Sequence, residues 1–247
     1  MRLIAIAAGT LALVAAASAG AQQQPSQPGW PQPVDNNRLF GTAVLNQNEW
    51  RTSGGSDAYR WDGEGWYGDD WNRIRLKSEG NLMAASGHFG EAQVQALYSR
   101  AATRYFDIQG GVRYDMAPGP ARGWLALGIE GLAPMYWNVG ASVFLSDAGH
   151  AAGRFEGYYN LPLTQRLFLQ PQFELNAYTK ADPSRDVGSG VSDLDAGLRL
   201  RYEIRRQVAP YVGLTYESAF AGTADIARQA RTPVSRLRFT AGVRLWR

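Results

Sequence analysis

From Arg38 to the C-terminus, apolar and polar side chains alternate with a period of two in segment after segment, and this pattern limits the chain's possible folds more than any other feature. A period of two is the strand period, because neighbouring side chains point to opposite faces of a sheet. In "YFDIQGGVRYDM", Phe106, Ile108, Val112, Tyr114 and Met116 share one face, and Asp107, Gln109, Arg113 and Asp115 share the other. "GRFEGYYNLP" sets Phe155, Tyr159 and Leu161 against Arg154, Glu156 and Asn160. "RLFLQPQFELNAYT" sets Leu167, Leu169, Pro171, Phe173 and Leu175 against Phe168, Gln170, Gln172, Glu174 and Asn176. "LRLRYEIRR" places Leu198, Leu200, Tyr202 and Ile204 opposite Arg199, Arg201, Glu203 and Arg205. "SRLRFTAGVRLW" closes the series, with Leu237, Phe239, Ala241, Val243 and Leu245 against Arg236, Arg238, Thr240 and Arg244.

The alternation predicts twelve strands near 38–51, 58–66, 71–80, 92–102, 105–116, 123–133, 136–147, 151–163, 167–180, 192–206, 208–220 and 235–247. Ten remain if the weaker N-terminal pair stays out of the wall. Tight turns near Tyr67 to Asp70, Thr103, Pro134, Thr164 and Gln207 alternate with longer polar loops at 52–57, 81–91, 117–122, 181–191 and 221–234, the loop at 148–150 being a short exception. An even number of strands with turns short on one side and longer on the other is the pattern of an up-and-down outer-membrane barrel.

A secreted β-sandwich also alternates, because its sheets have one wet face. Its inner faces are usually a dense aliphatic core, whereas here Gly, Ala, Tyr and Trp mix with the leucines, as on a lipid-facing wall with aromatic girdles. The opposite face holds more arginine and glutamate than bulk water requires. The expected fold is therefore an all-β transmembrane antiparallel up-and-down barrel with a charged lumen. Its inward scaffold is expected to pair Asp107, Glu130, Glu156, Glu174, Glu203 and Glu217 with Arg113, Arg154, Arg199, Arg201 and Arg205, leaving little open pore.

The N-terminus agrees with export. Arg2, the apolar run Leu3 to Val14, and small residues ending at Ala21 read as a signal peptide over 1–21. The apolar core is shorter than the roughly 20 residues of a membrane-spanning helix. Residues 22–37, "QQQPSQPGWPQPVDNN", are too poor in apolar side chains to pack and are expected to form a disordered Gln/Pro-rich periplasmic segment ahead of a barrel over 38–247. With no cysteine, disulfides and thiolate metal sites are excluded. The formal charge of +3 falls by one when Arg2 is removed, which gives no basic patch and no nucleic-acid partner.

Catalytic chemistry has little raw material. The two histidines, His88 and His150, both fall in predicted external loops, so a Ser-His-Asp arrangement is not expected. The carboxylate pairs Asp69/Asp70 and Asp193/Asp195 fit turn and lumen placement better than acid and base work. "GSG" at Gly188 to Gly190 lacks the spacing of a phosphate loop. The chain is not expected to be an enzyme. For a metal, only Met83, His88, Asp147 and His150 stand as rim and loop candidates, since a carboxylate paired with arginine is a poor ligand: binding metal there would strand the guanidinium.

Several long stretches resemble one family. They are "WDGEGWYGDDWNRIRLKSEG" (Trp61 to Gly80), "LYSRA" (Leu97 to Ala101), "FDIQGGVRYD" (Phe106 to Asp115), "LALGIEGLAP" (Leu125 to Pro134), "LTQRLFLQP" (Leu163 to Pro171), "LDAGLRLRYEIRRQVAPYVGLTYE" (Leu194 to Glu217) and "GTADIAR" (Gly222 to Arg228). In this order they are similar to the copper resistance protein B family of Gram-negative outer-membrane proteins. The resemblance implies a barrel in the outer-membrane bilayer, a role in copper homeostasis through binding copper ions or limiting their entry, and a periplasmic multicopper oxidase acting alongside. It does not extend to the Met- and His-rich segment that often precedes the barrel in that family, because residues 22–37 contain neither residue. The residues alone leave two other roles open: a general porin without metal selectivity, or a structural barrel acting through the loops at 181–191 and 221–234.

Overall fold

The computed structural model describes residues 38–54, 56–147 and 149–247. The expected signal peptide over 1–21 and lead-in over 22–37 lie outside the described residues. Thirteen strands form one antiparallel sheet: β1 (Phe40–Thr52), β2 (Ala58–Gly68), β3 (Asn72–Met83), β4 (Phe89–Ala101), β5 (Phe106–Ala117), β6 (Arg122–Ala133), β7 (Trp137–Ser146), β8 (Ala151–Tyr158), β9 (Leu161–Pro162), β10 (Leu167–Tyr178), β11 (Gly190–Tyr202), β12 (Val208–Ala219) and β13 (Ser235–Trp246). The short β9 pairs with β10 just beyond β8, so β8 and β9 are one stave interrupted at Tyr159 and Asn160, and the barrel has twelve staves. The N-terminal pair is in the wall, because β1 bonds β13 and closes the sheet. Closure leaves no strand edge to be satisfied by water, which hydrocarbon surroundings require.

The two faces follow the alternation. Leu76, Val94, Val112, Leu127, Ile129, Val143, Leu200, Val212 and Leu214 are exposed on the outside. Exposed aromatic residues flank this aliphatic band, with Tyr67, Trp71, Tyr98, Tyr105, Tyr136 and Tyr202 toward the short turns and Trp50, Tyr114, Tyr216 and Phe239 toward the other end. Such girdles sit at the two membrane interfaces. Leu200, opposite Leu169 and Val212, is well placed in this band. Leu200→Arg, between the midplane and the girdle at Tyr202, is expected to cost about 1–2 kcal/mol, measured as urea unfolding from lipid vesicles. A loss near zero would mean that this face does not meet lipid.

The short turns repeat one device. The Asp69 carboxylate accepts from the backbone N–H groups of Trp71 and Asn72 at 2.7 and 2.6 Å. Thr103 accepts from Tyr105 and Phe106, and Thr164 from Arg166 and Leu167. A short oxygen side chain bonding two and three residues ahead fixes the turn without help from the strands. At Asp69, the two backbone donors hold the carboxyl below its ordinary range.

The structure departs from the sequence reading in four places. β3 and β4 run further than expected and leave only 84–88 between them, so the length contrast between turns and loops is carried mainly by 179–189 and 220–234. The second of these contains a helix, α1 (Ala221–Gln229), and in the first, Pro183–Arg185 form a 3-10 turn. In β1 the pairing shifts between Leu45 and Gln47, which reverses the alternation: Thr42 and Val44 face inward below the bulge, and Gln47, Glu49 and Arg51 above it. Lastly, Arg205 was expected on the inward face of the strand over 192–206, but β11 ends at Tyr202. Arg205 lies exposed in the turn, bridging to Val208, because the alternation of "YEIRR" outruns the hydrogen-bonded ladder.

Candidate functional site

The lumen is the one interior that the barrel has, and ion pairs fill most of it. On the β3 to β6 side, Arg73 and Arg75 reach Asp107 at 3.3 and 3.1 Å. Arg75 and Lys77 reach Glu130 at 3.0 and 2.8 Å, where Gln109 also donates. On the opposite wall, Glu49 accepts from Arg51, from two nitrogens of Arg199 and from the Tyr211 hydroxyl at 2.7 to 2.9 Å. Arg51 continues to Asp195 and Glu217, and Arg238 also holds Glu217.

A third group crosses the lumen. Arg60 on β2 meets Glu174 on β10 at 3.2 Å, with Glu91 and Glu79 at 3.5 and 3.8 Å. Arg154 on β8 meets Glu79 on β3, Glu174 at 3.3 Å and Glu91 at 3.6 Å, while its Nε donates to Asn176. In a ring of twelve staves β2 and β10, and β8 and β3, stand nearly opposite one another. Two guanidinium groups thus tie three carboxylates from three strands into a bar across the external half of the lumen.

The external mouth is covered as well. Arg185, in the loop between β10 and β11, is buried and donates to Asp115 on β5 at 2.8 Å and to the Pro120 carbonyl at 3.0 Å. Arg113 and Trp124 bind the same Asp115 from inside the barrel. Arg122 pairs with Asp182 at 2.6 Å. Burial tends to raise the Asp182 carboxyl, but hydrogen bonds from Ser184 and Arg122 outweigh it and hold the group below its ordinary range. The loop also packs on α1: Gly188 N–H donates to Thr223 Oγ1, and a Cβ at Gly188 would lie 2.2 Å from the Gly222 backbone. The "GSG" glycine is a site of close backbone approach between two loops.

The expected scaffold residues fall as follows. Asp107 and Glu130 pair with Arg73, Arg75 and Lys77, and Arg113 pairs with Asp115. Glu174 and Arg154 belong to the cross-lumen bar, Arg199 holds Glu49, and Glu217 is shared by Arg51 and Arg238. Glu203 reaches Arg201 at 3.7 Å from the turn. Glu156 was expected to pair with arginine but makes no hydrogen bond or ion pair among the described residues; Asp62, which lines the same cavity, makes none either. Glu49, Arg51, Arg60, Glu79 and Glu91 were not singled out in the sequence, and Arg238 was placed only on the polar face of its strand. Their inward parity would have found those beyond the β1 bulge.

For copper, soft ligation would need several thioethers together. Met116 and Met135 are exposed on the outside, and Met83 ends β3. Met83 and His88 flank one hairpin, Asp147 and His150 another. Among the described residues no group of three or more His, Asp or Glu side chains is arranged to hold a metal ion. What the lumen offers is hard oxygen, which suits divalent rather than cuprous copper.

Comparison with known proteins gives this barrel a family. It resembles the porin NanC with a TM-score of 0.54 at 13% identity, covering 83% of this chain and 99% of that one, which supports an outer-membrane barrel fold. The chain is 44% identical over 213 residues to the "Copper resistance protein B homolog" of Pseudomonas syringae pv. tomato, covering 86% of this chain and 72% of that protein. It is 40% identical over 203 residues to "Copper resistance protein B" of Escherichia coli, covering 82% of this chain and 68% of that protein. Residues 39–247 match the model of the family described as copper resistance protein B precursor (CopB), and with nearly the whole barrel inside that match, the chain belongs to the copper resistance protein B family.

Proposed function

We infer that this outer-membrane barrel serves copper resistance by limiting copper entry, and that it contacts divalent copper weakly at lumen carboxylates rather than sequestering it. The observation that carries the reading is the bar of Arg60 and Arg154 with Glu79, Glu91 and Glu174 across the lumen. A general porin keeps an aqueous channel, and a bar of buried ion pairs opposes one. A lumen cavity of about 170 Å³ is lined by Asp62 and Glu156, two inward carboxylates that no arginine holds. A copper ion reaching them would find one or two oxygens and water, a weak site with fast release. The rim residues Met83, His88, Asp147 and His150 are the competing contact. A periplasmic multicopper oxidase is the companion we assign on the turn side.

Copper titration of the folded protein, followed by the spectrum of divalent copper, separates these contacts. Weak binding lost in Asp62→Asn/Glu156→Gln and kept in His88→Ala/His150→Ala is the expected result; the reverse pattern would move copper to the rims. In planar bilayers the wild type is expected to pass little current. A large, stable conductance indifferent to copper would make the barrel a general porin, and normal growth of a deletion strain on copper would remove the resistance role.

A further inference from the structure

Three arginines in the periplasmic half of the lumen have more donors than partners. Arg199 and Arg201, 2% and 4% exposed, lie on β11, and Arg244 lies on β13. Each has a buried nitrogen without a hydrogen-bond partner: Nη1 of Arg199, Nε of Arg201 and Nε of Arg244. Among the described residues the other unpartnered buried arginine nitrogen is Nε of Arg75, on the far wall, so the shortage of acceptors is concentrated here.

The acids nearby do not relieve it. Glu49 is already shared by Arg51, Arg199 and Tyr211. Glu203 reaches Arg201 at 3.7 Å, from the turn. Arg244 makes no ion pair among the described residues. On β12, between the two arginine strands, the inward positions beside them are Ala209, Tyr211 and Gly213, so the intervening strand brings no acid. Meanwhile each guanidinium plane is braced by an aromatic ring, with Arg199 over Tyr211 at 5.7 Å, Arg201 over Phe168 at 5.2 Å and Arg244 over Trp246 at 5.3 Å. Bracing by ring faces fixes the planes and leaves the N–H edges for another partner. The three arginines line one side of the lumen cavity with Tyr158, Gln170 and Gln172, while Asp62, Glu64, Glu130 and Glu156 line it from β2, β6 and β8, and the Gln170 carbonyl accepts from Arg201 at 2.8 Å.

Buried guanidinium groups are stable when an anion completes their hydrogen bonds and are costly otherwise. We propose that Arg199, Arg201 and Arg244 form a binding site for a small oxyanion, a phosphate or carboxylate group entering from the periplasmic side of the lumen. Planar N–H edges match two-oxygen groups such as carboxylate and phosphate better than they match a spherical halide. The neutral Gln170, Gln172 and Tyr158 add donors without adding a competing charge. This site shares its cavity with the copper contact at Asp62 and Glu156 but uses different strands, β11 and β13 rather than β2 and β8.

The test is calorimetric titration of the folded full-length protein with inorganic phosphate at constant ionic strength, with chloride as the reference anion. Phosphate is expected to bind the wild type with a saturable heat that chloride does not give. Arg244→Gln removes no ion pair, so the barrel should still fold, as its heat-dependent gel mobility would report, and phosphate affinity should fall at least ten-fold. Gln170→Glu builds a carboxylate beside Arg201; it should weaken phosphate binding as strongly while raising the unfolding temperature. Arg104→Gln, in the separate turn-side cleft where Asp70, Asp107 and Glu130 accompany the arginines, should change nothing. Wild-type binding no tighter than chloride, or full binding by both Arg244→Gln and Gln170→Glu, would overturn the proposal.

Discussion

Replacing Glu49 by alanine is expected to destabilise the barrel by about 3–5 kcal/mol, the size of effect that follows when one partner of a buried ion pair is removed. Glu49 is 1% exposed and accepts four hydrogen bonds, from Arg51, Arg199 and Tyr211. Its neighbours would not suffer equally. Arg51 keeps Asp195 and Glu217, so it stays paired. Arg199 has no other ion pair and already carries one unpartnered nitrogen, so most of the loss should come from stranding its charge. Adding Arg199→Ala to Glu49→Ala should therefore recover part of the loss, and the two changes should be strongly non-additive. Glu49→Gln keeps an acceptor and should fall between wild type and alanine. Urea unfolding in lipid vesicles of wild type, Glu49→Ala, Arg199→Ala, the double variant and Glu49→Gln measures these effects, and additive losses for the two single alanine variants would show that Glu49 does not anchor Arg199.

The direction in which side chains point was legible in the sequence because lipid and lumen demand opposite chemistry at successive residues. Leu198, Leu200 and Tyr202 face out and Arg199 and Arg201 face in, as the alternation of "LRLRY" predicts. Height and partner were not legible. Periodicity assigns a face, but strand tilt and stagger decide which charges meet, so Glu130 finds Arg75 and Lys77 on a strand three staves away. Glu156 has an inward address but no arginine within ion-pair distance among the described residues. The alternation also carries no signal for its own end, which is why Arg205 falls in a turn, and a one-residue bulge in β1 reverses it without a trace in composition. α1 was missed because "AGTADIARQ" is short and its apolar residues are mostly alanine; its contacts with the Gly188 loop place it. Family membership was legible where these partners were not, since long strand segments that resemble a family's identify a wall more readily than a lumen network.

Arg154→Ala is expected both to weaken the fold and to open the lumen, and the second effect bears on function. Arg154 lies in the bar, holding Glu79, Glu91 and Glu174, and its Nε also fixes Asn176. Without it, Arg60 alone faces three carboxylates. Two cations against three anions is close to balance, whereas one against three is not, and the stranded acids should cost about 3–5 kcal/mol. Relief lies in moving apart and taking up water and cations, because the barrel wall, held by backbone bonds, cannot follow them inward. Conductance in planar bilayers should rise above the wild-type level and favour cations. Charge alone can be separated from bulk with Arg154→Met, which fills similar space but leaves the same excess of carboxylate: it should be as cation-selective as Arg154→Ala, with a smaller current. Cells carrying Arg154→Ala should then lose copper tolerance relative to wild type at equal outer-membrane abundance. Raised conductance with unchanged tolerance would separate the bar from copper resistance, and unchanged conductance would mean that the external loop anchored by Arg185, rather than the bar, is what closes this barrel.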